Sequence, residues 1–214
     1  MSADTDPEAL AQHLIALDPG RRVLCAIAGA PGSGKSTVAE ALVARLNDLE
    51  PGAAALLPMD GFHYDDLHLV PAGLRQRKGA PETFDVGGLR HALQRLRAND
   101  EPAVAVPVFD RDIEIARAGA RLIPQSVRVI VVEGNYLLLT HPPWDTLVPF
   151  FDVTVMLDVP EDELRARLTA RWTHHDLSEH QIAWKLDGND LPNGRVVRTE
   201  SAEADFRIGP APFR

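Results

Sequence analysis

Gly29-Ala30-Pro31-Gly32-Ser33-Gly34-Lys35-Ser36-Thr37 fits the pattern Gly-x-x-x-x-Gly-Lys-[Ser/Thr] at every fixed position. Glycines allow a tight turn in which successive backbone N–H groups wrap a polyphosphate. The amine of Lys35 is then placed to reach the β- and γ-phosphates, and the Ser36 hydroxyl offers a Mg²⁺ position. Two carboxylates could complete a phosphoryl-transfer site. Val129-Ile130-Val131-Val132 ends in Glu133, where a P-loop protein holds or orients Mg²⁺ through water. An acid merely solvated at a strand end would read the same way. Asp60 closes a second apolar run. It could accept the proton of an alcohol as that oxygen bonds to phosphorus, or it could serve only as the first residue of an Asp-Gly turn.

That chemistry requires a strand before the glycine loop and a helix after it, so that the helix N-terminus faces the anion. Arg22–Ala28 is an apolar run suited to a buried strand, and Val38, Leu42, Leu46 and Leu49 share a helical stripe. Residues 1–20 suggest an amphipathic helix with Leu10, Leu14 and Leu17 on one face, ending at Asp18-Pro19-Gly20. Ala54–Met59, Val104–Phe109, Val127–Val132 and Asp152–Val159 read as further strands. Asp85 is placed to cap a helix bearing Leu89, Leu93 and Leu96. Pro160-Glu161-Asp162-Glu163 opens another with acids in its first turn, and Ser178 to Gln181 has capping-box spacing. Strands alternating with helices predict a three-layer α/β fold with a mostly parallel sheet. Between Phe62 and Thr83 lies a long polar stretch carrying Pro71, Gly73, Gly79 and Pro81. Irregular segments of that length in a compact domain are usually functional.

The 214 residues suffice for one substantial domain. A formal net charge of -9 argues against non-specific nucleic-acid binding. Cys25 is the single cysteine, so no intramolecular disulfide forms and a reducing cytoplasm fits. No apolar run reaches the length of a membrane span, and no secretory pattern opens the chain. The expectation is a cytoplasmic protein acting on a small molecule, away from nucleic acid and membrane. His174 and His175 are adjacent and would point apart on a helix, so they do not suggest zinc.

His63, Arg75, Arg77 and Lys78 crowd the irregular stretch after Asp60. They read either as a polar, partly basic pocket for a hydroxylated or acidic metabolite or as a solvated loop. Asp110 and Arg111 follow another strand end and are placed at the pocket wall.

The glycine loop, Met59-Asp60-Gly61-Phe62-His63, Arg77-Lys78-Gly79-Ala80-Pro81-Glu82-Thr83-Phe84-Asp85 and Glu133-Gly134-Asn135-Tyr136-Leu137-Leu138 occur in that order. The series resembles the P-loop kinases that include uridine kinase, phosphoribulokinase and bacterial pantothenate kinase. Asp187-Gly188-Asn189-Asp190-Leu191-Pro192-Asn193 and Phe109-Asp110-Arg111 look most like a bacterial nucleoside/nucleotide-kinase-like subgroup, also described as fructose transport system kinases. The similarity runs from about Val23 to Phe206. The resemblance implies one P-loop kinase domain over residues 1–214, with a helical lid at approximately 160–180. It implies ATP and Mg²⁺, with Asp60 as the catalytic aspartate, Lys35 on phosphate and Glu133 at the metal. It adds Arg167 and Arg171 as lid arginines over the phosphates, and Asn189, with Asp190 and Asn193, on the adenine side.

Gly79 stands where uridine-kinase relatives carry an aspartate for the ribose diol, which weighs against a nucleoside. Trp184-Lys185-Leu186-Asp187 lacks the first residue of the guanine-reading Asn-Lys-x-Asp, so ATP is expected. The leading reading is a kinase phosphorylating a small-molecule hydroxyl, most naturally on a sugar such as fructose. Pantothenate- or nucleoside-type acceptors, a P-loop switch or chaperone NTPase, and a degenerate binding module are the alternatives. Relatives are often dimers, which leaves a homodimer as an expectation.

Overall fold

The computed structural model describes residues 2–17 and 20–210. Its strands are β1 (Ala3–Asp4), β2 (Val23–Gly29), β3 (Ala54–Pro58), β4 (Ala103–Asp110), β5 (Ile115–Pro124), β6 (Val129–Gly134), β7 (Val153–Leu157) and β8 (Phe206–Ile208). Six of them form one sheet in the order β1-β8-β7-β2-β6-β3, and every pairing in it is parallel. β2 and β6 lie inside this sheet and are buried along their whole length. Burial on both faces explains their unbroken apolar runs.

The helices are α1 (Pro7–Ala16), α2 (Lys35–Leu49), α3 (Asp66–Leu69), α4 (Val86–Ala98), α5 (Glu161–His174), α6 (Glu179–Lys185) and α7 (Leu191–Glu200). On one face of the sheet α1 and α2 bury Leu10, Leu14, Val38, Leu42 and Leu46 against Cys25, Ile27, Val131 and Val155. Leu17 and Leu49 join that core half-buried, while Asp18 and Pro19, expected to end α1, lie outside the described residues. On the other face Leu89, Leu93 and Leu96 of α4 pack with Leu24, Ile130, Val132, Trp144 and Val197. Two cores on opposite faces make the three layers the strand–helix alternation predicts. The expected caps form: Asp85 accepts from the Gly88 N–H at 2.8 Å, and Ser178 with Gln181 closes a capping box.

Two sequence expectations are corrected here. Val104–Phe109 is a strand, but outside the main sheet: β4 pairs antiparallel with β5, a strand the sequence reading did not anticipate. β5 is mostly exposed and runs Ile-Ala-Arg-Ala-Gly-Ala-Arg-Leu-Ile-Pro. Such a segment has no clear hydrophobic period and exists by pairing with its neighbour. The stretch from Phe62 to Thr83 is also less irregular than expected, holding α3 and short 3₁₀ turns at Arg75–Arg77 and Pro81–Thr83.

Candidate active site

Register brings the two carboxylates together. Ile27 of β2 and Pro58 of β3 both pair with Glu133 of β6. The glycine loop leaves the C-terminal end of β2, and Met59-Asp60-Gly61-Phe62 makes a single 3₁₀ turn off the end of β3. Asp60, Glu133 and the glycine loop therefore share one sheet edge, where parallel α/β sheets bind ligands. The turn is fixed by packing. A side chain at Gly134 would collide with Met59, and one at Gly61 would meet the Pro107 carbonyl of β4.

The loop is shaped as a cradle. Gly32 and Gly34 have φ of 79° and 89°, a region that disfavours any side chain. Gly34 caps α2 without a side-chain hydrogen bond, so the first N–H groups of that helix have no side-chain cap. Next to them the Ser36 hydroxyl donates to Glu133 Oε2 at 3.2 Å. A hydroxyl and a carboxylate are hard oxygen donors of the kind Mg²⁺ takes, and Ser36 with Glu133 fits that ion. Burial pushes the Glu133 carboxyl above its ordinary range, Asp60 reinforces the shift, and Lys35 and Ser36 oppose it.

Lys35 and Asp60 line a single cavity of about 410 Å³ with His63, Lys78, Arg111 and Arg171 on its walls. Asp60 Oδ2 accepts from Arg111 at 2.6 Å. Burial raises the Asp60 carboxyl, but in the acid range where His63 is charged that ring, with Lys35 and Arg111, outweighs burial and holds the carboxyl below its ordinary range. It is therefore an anion at neutral pH. His63 Nδ1 lies 2.8 Å from the Asp60 carbonyl, with its ring 4.0 Å from Phe84 and 4.8 Å from Phe109 between centroids.

The helical pair α5–α6 closes the other side. Leu168 packs on Gly32, where a Cβ would come within 2.8 Å of its Cγ. Arg167 donates to the Ser33 carbonyl at 3.0 Å and pairs with Glu163, so it ties α5 to the glycine loop. Arg171, one turn on, reaches the cavity, where burial lowers its guanidinium's pKa.

Several expected residues do other work. Arg77 pairs with Glu82 away from this cavity. Asp110 accepts from Arg117 at 2.7 Å across the β4–β5 hairpin and does not line the cavity. Their chain neighbours Lys78 and Arg111 line the cavity, while these two side chains are held in ion pairs outside it. Lys78 lines the cavity yet is committed to Asp66 at 2.8 Å and the Glu114 carbonyl at 2.7 Å, pinning loop to hairpin. Arg75 pairs with Asp66 at the same wall.

Asn189, expected on the adenine side, lines the same cavity as Asp60 and donates to the Lys78 carbonyl at 3.4 Å. It sits in a π-helical segment, Leu186–Asp190. Trp172, Glu114, Asn135 and Lys185 also line the cavity and were missed as site residues. Trp172 lies on α5, next to Arg171. Its Nε1 donates to Asp190 at 2.7 Å and its ring lies 5.0 Å from the Arg171 guanidinium and 4.3 Å from Lys185 Nζ. Lys185 and Asp190 reach this ring only through the packing of α5 against α6 and the π-helical segment, so nothing in the local sequence marks it.

No family model matches the chain. A protein of Schizosaccharomyces pombe described as a putative uridine kinase is 32% identical over 193 residues, covering 87% of this chain and 82% of that protein. The pantothenate kinase of Limosilactobacillus reuteri is 31% identical over 138 residues, 64% of this chain and 45% of the kinase. A crystal structure from Silicibacter sp. TM1040, described as a putative fructose transport system kinase, superposes with a TM-score of 0.88 and 42% identity. The match covers 95% of this chain and 98% of that one.

Proposed function

The chain belongs to the P-loop kinase group that contains uridine kinase, pantothenate kinase and phosphoribulokinase, and on that premise we propose an ATP- and Mg²⁺-dependent transfer to the hydroxyl of a small metabolite. One observation carries this reading: Lys35 and Asp60 meet at one cavity of about 410 Å³. A switch NTPase needs the phosphate cradle but no such acceptor chamber.

In this mechanism the α2 N-terminus and Lys35 hold the phosphates. Ser36 and Glu133 would hold Mg²⁺, which would supply positive charge to offset that of the phosphates. The acceptor oxygen bonds to the γ-phosphorus while the bond to the bridging oxygen breaks and its electron pair stays on ADP. The acceptor's proton passes to the Asp60 carboxylate and on to water. Arg171 faces the charge that spreads over the transferred group, and the α5–α6 lid, anchored through Arg167 and Leu168, excludes competing water. A second cavity of about 460 Å³ shares Ala30 with the glycine loop and lies at the ends of β7 and β8, lined by Asp158, Arg198 and Glu203. We place the nucleoside end of ATP there, because Asn189 lies on the acceptor side instead.

The acceptor we favour is a sugar such as fructose, supported by the 42% identical relative's description and by the polar cavity wall. A cytoplasmic location belongs to the same reading. The test is ADP release by the purified protein with ATP–Mg²⁺ and a panel of sugars, sugar acids, pantothenate and nucleosides. Slow turnover alone and a large rise with one acceptor class is the expected result. Brisk turnover that no acceptor changes would replace the kinase with an NTPase.

A further inference from the structure

The lysines and arginines that line the cavity fall into two groups. Arg75 and Lys78 are paired with Asp66, and Arg111 is paired with Asp60. Lys35, Arg171 and Lys185 have no carboxylate within ion-pair distance among the described residues. Lys35 and Arg171 act on the phosphates, and Lys185 is left without a task. It is the last residue of α6. Ile182 and Leu186, on either side of it, share one apolar cluster with Leu164 and Leu168 of α5 and with Ala30 of the glycine loop. Lys185 Nζ lies 4.3 Å from the centre of the Trp172 ring, which also carries the Arg171 guanidinium at 5.0 Å. An aromatic face attracts an ammonium through its quadrupole but has no net charge, so the ring places Nζ without neutralising it. Asp190, the acid beside them, forms no ion pair with Lys185. Its Oδ2 accepts from Trp172 Nε1 at 2.7 Å, and burial raises its carboxyl.

We infer that Lys185 is a further catalytic residue: its ammonium donates to an oxygen of the γ-phosphoryl group of bound ATP, beside Arg171. This rests on the kinase reading and adds a residue to it. Uncompensated cations gathered at one cavity repel one another, and an anion of several charges entering between them relieves that repulsion. The triphosphate is such an anion, whereas a neutral acceptor is not. The two side chains on the Trp172 ring suit different parts of the task. A guanidinium binds in a fixed fork, while an ammonium is a compact point charge on a flexible stem. Lys185 can therefore stay on its oxygen while the phosphoryl group moves from ADP to the acceptor.

The test compares ATP–Mg²⁺ with ADP–Mg²⁺, which differ by the γ-phosphoryl group alone, by calorimetric titration of the full-length protein. Lys185→Met keeps a stem on the Trp172 ring and removes the charge. It should weaken ATP binding roughly tenfold, the scale of one hydrogen bond to a charged group, while ADP affinity stays the same. Lys185→Arg keeps the charge and should recover most of the loss. A second measurement needs no variant: acetylation of the wild-type lysines, mapped by mass spectrometry. ATP–Mg²⁺ should protect Lys185, and ADP–Mg²⁺ should leave it reactive. An unchanged ATP affinity in Lys185→Met, an equal loss for both nucleotides, or equal protection by both overturns the proposal. An equal loss would give Lys185 only a structural place in α6. None of these readouts involves an acceptor, so acceptor-stimulated ADP release by wild type would leave the kinase reading intact in each case.

Discussion

At the scale of single residues the site is a set of opposed charges. Asp60 is held as an anion by Lys35 and Arg111, while Glu133 is pushed the other way by burial. Asp60→Asn should leave ATP binding, read by fluorescence titration, nearly unchanged while lowering turnover by at least about a hundredfold. Near-normal turnover would remove Asp60 from the role. Lys35→Ala should weaken nucleotide binding and chemistry together. Glu133 predicts a separation of stability from function. A carboxyl whose folded pKa lies above its unfolded value favours the native state at low pH. That contribution is lost as pH rises from the unfolded pKa through the folded one. Glu133→Gln removes the buried charge, so at pH 7 it should raise the Tm of the nucleotide-free protein. Relief of about 1 kcal/mol corresponds to roughly 2–4 °C. The same variant should lose Mg²⁺-dependent turnover, and an unchanged or lower Tm would refute the stored strain.

At the scale of elements, the decisive contact is α5 on the glycine loop. Gly32 has a positive φ and Leu168 packs directly over it, so Gly32→Ala strains the turn and displaces the helix at once. Loss of nucleotide binding by at least tenfold, with faster proteolysis within α5–α6, is the expected outcome. Trp172 ties α5 to the π-helical segment through Asp190. Trp172→Phe keeps the ring and loses that hydrogen bond. Amide exchange should rise across residues 186–190 while exchange in β2 and β6 stays as slow as in wild type. The β4–β5 hairpin matters for a similar reason. It delivers Arg111 to Asp60 and the Glu114 carbonyl to Lys78, closing the cavity wall from outside the main sheet.

The whole molecule is an all-parallel sheet between two helical layers, with every site element at or above one edge. Among the described residues no helix is long and apolar enough to cross a membrane. Cys25 sits in the middle of β2, fully buried, and its thiol is pushed up to about 12 by burial. Native protein should therefore react with a thiol reagent only as fast as it unfolds, and guanidinium should expose one equivalent. Saturating ATP–Mg²⁺ at about a hundred times Kd should add about 2.7 kcal/mol to global stability, a Tm rise of roughly 5–10 °C. Lys35→Ala should lose most of that rise.

The sequence by itself determined the chemistry that depends on local spacing. The glycine loop, the buried strand before it, the stripe after it and the caps at Asp85 and Ser178 were legible because each is set by neighbours within a few residues. The apolar runs ending at Asp60 and Glu133 showed two acids at strand ends. Only the tertiary structure decided that these ends lie side by side, because parallel register is set by pairing between segments more than seventy residues apart. It also decided which basic residues face the cavity. Arg77 and Lys78 are adjacent in sequence, yet one turns to Glu82 and the other to the cavity wall. The strand β5 and the roles of Trp172 and Asn189 carried no local signal of their own. Their positions follow from long-range packing, and no periodicity within a short window encodes that.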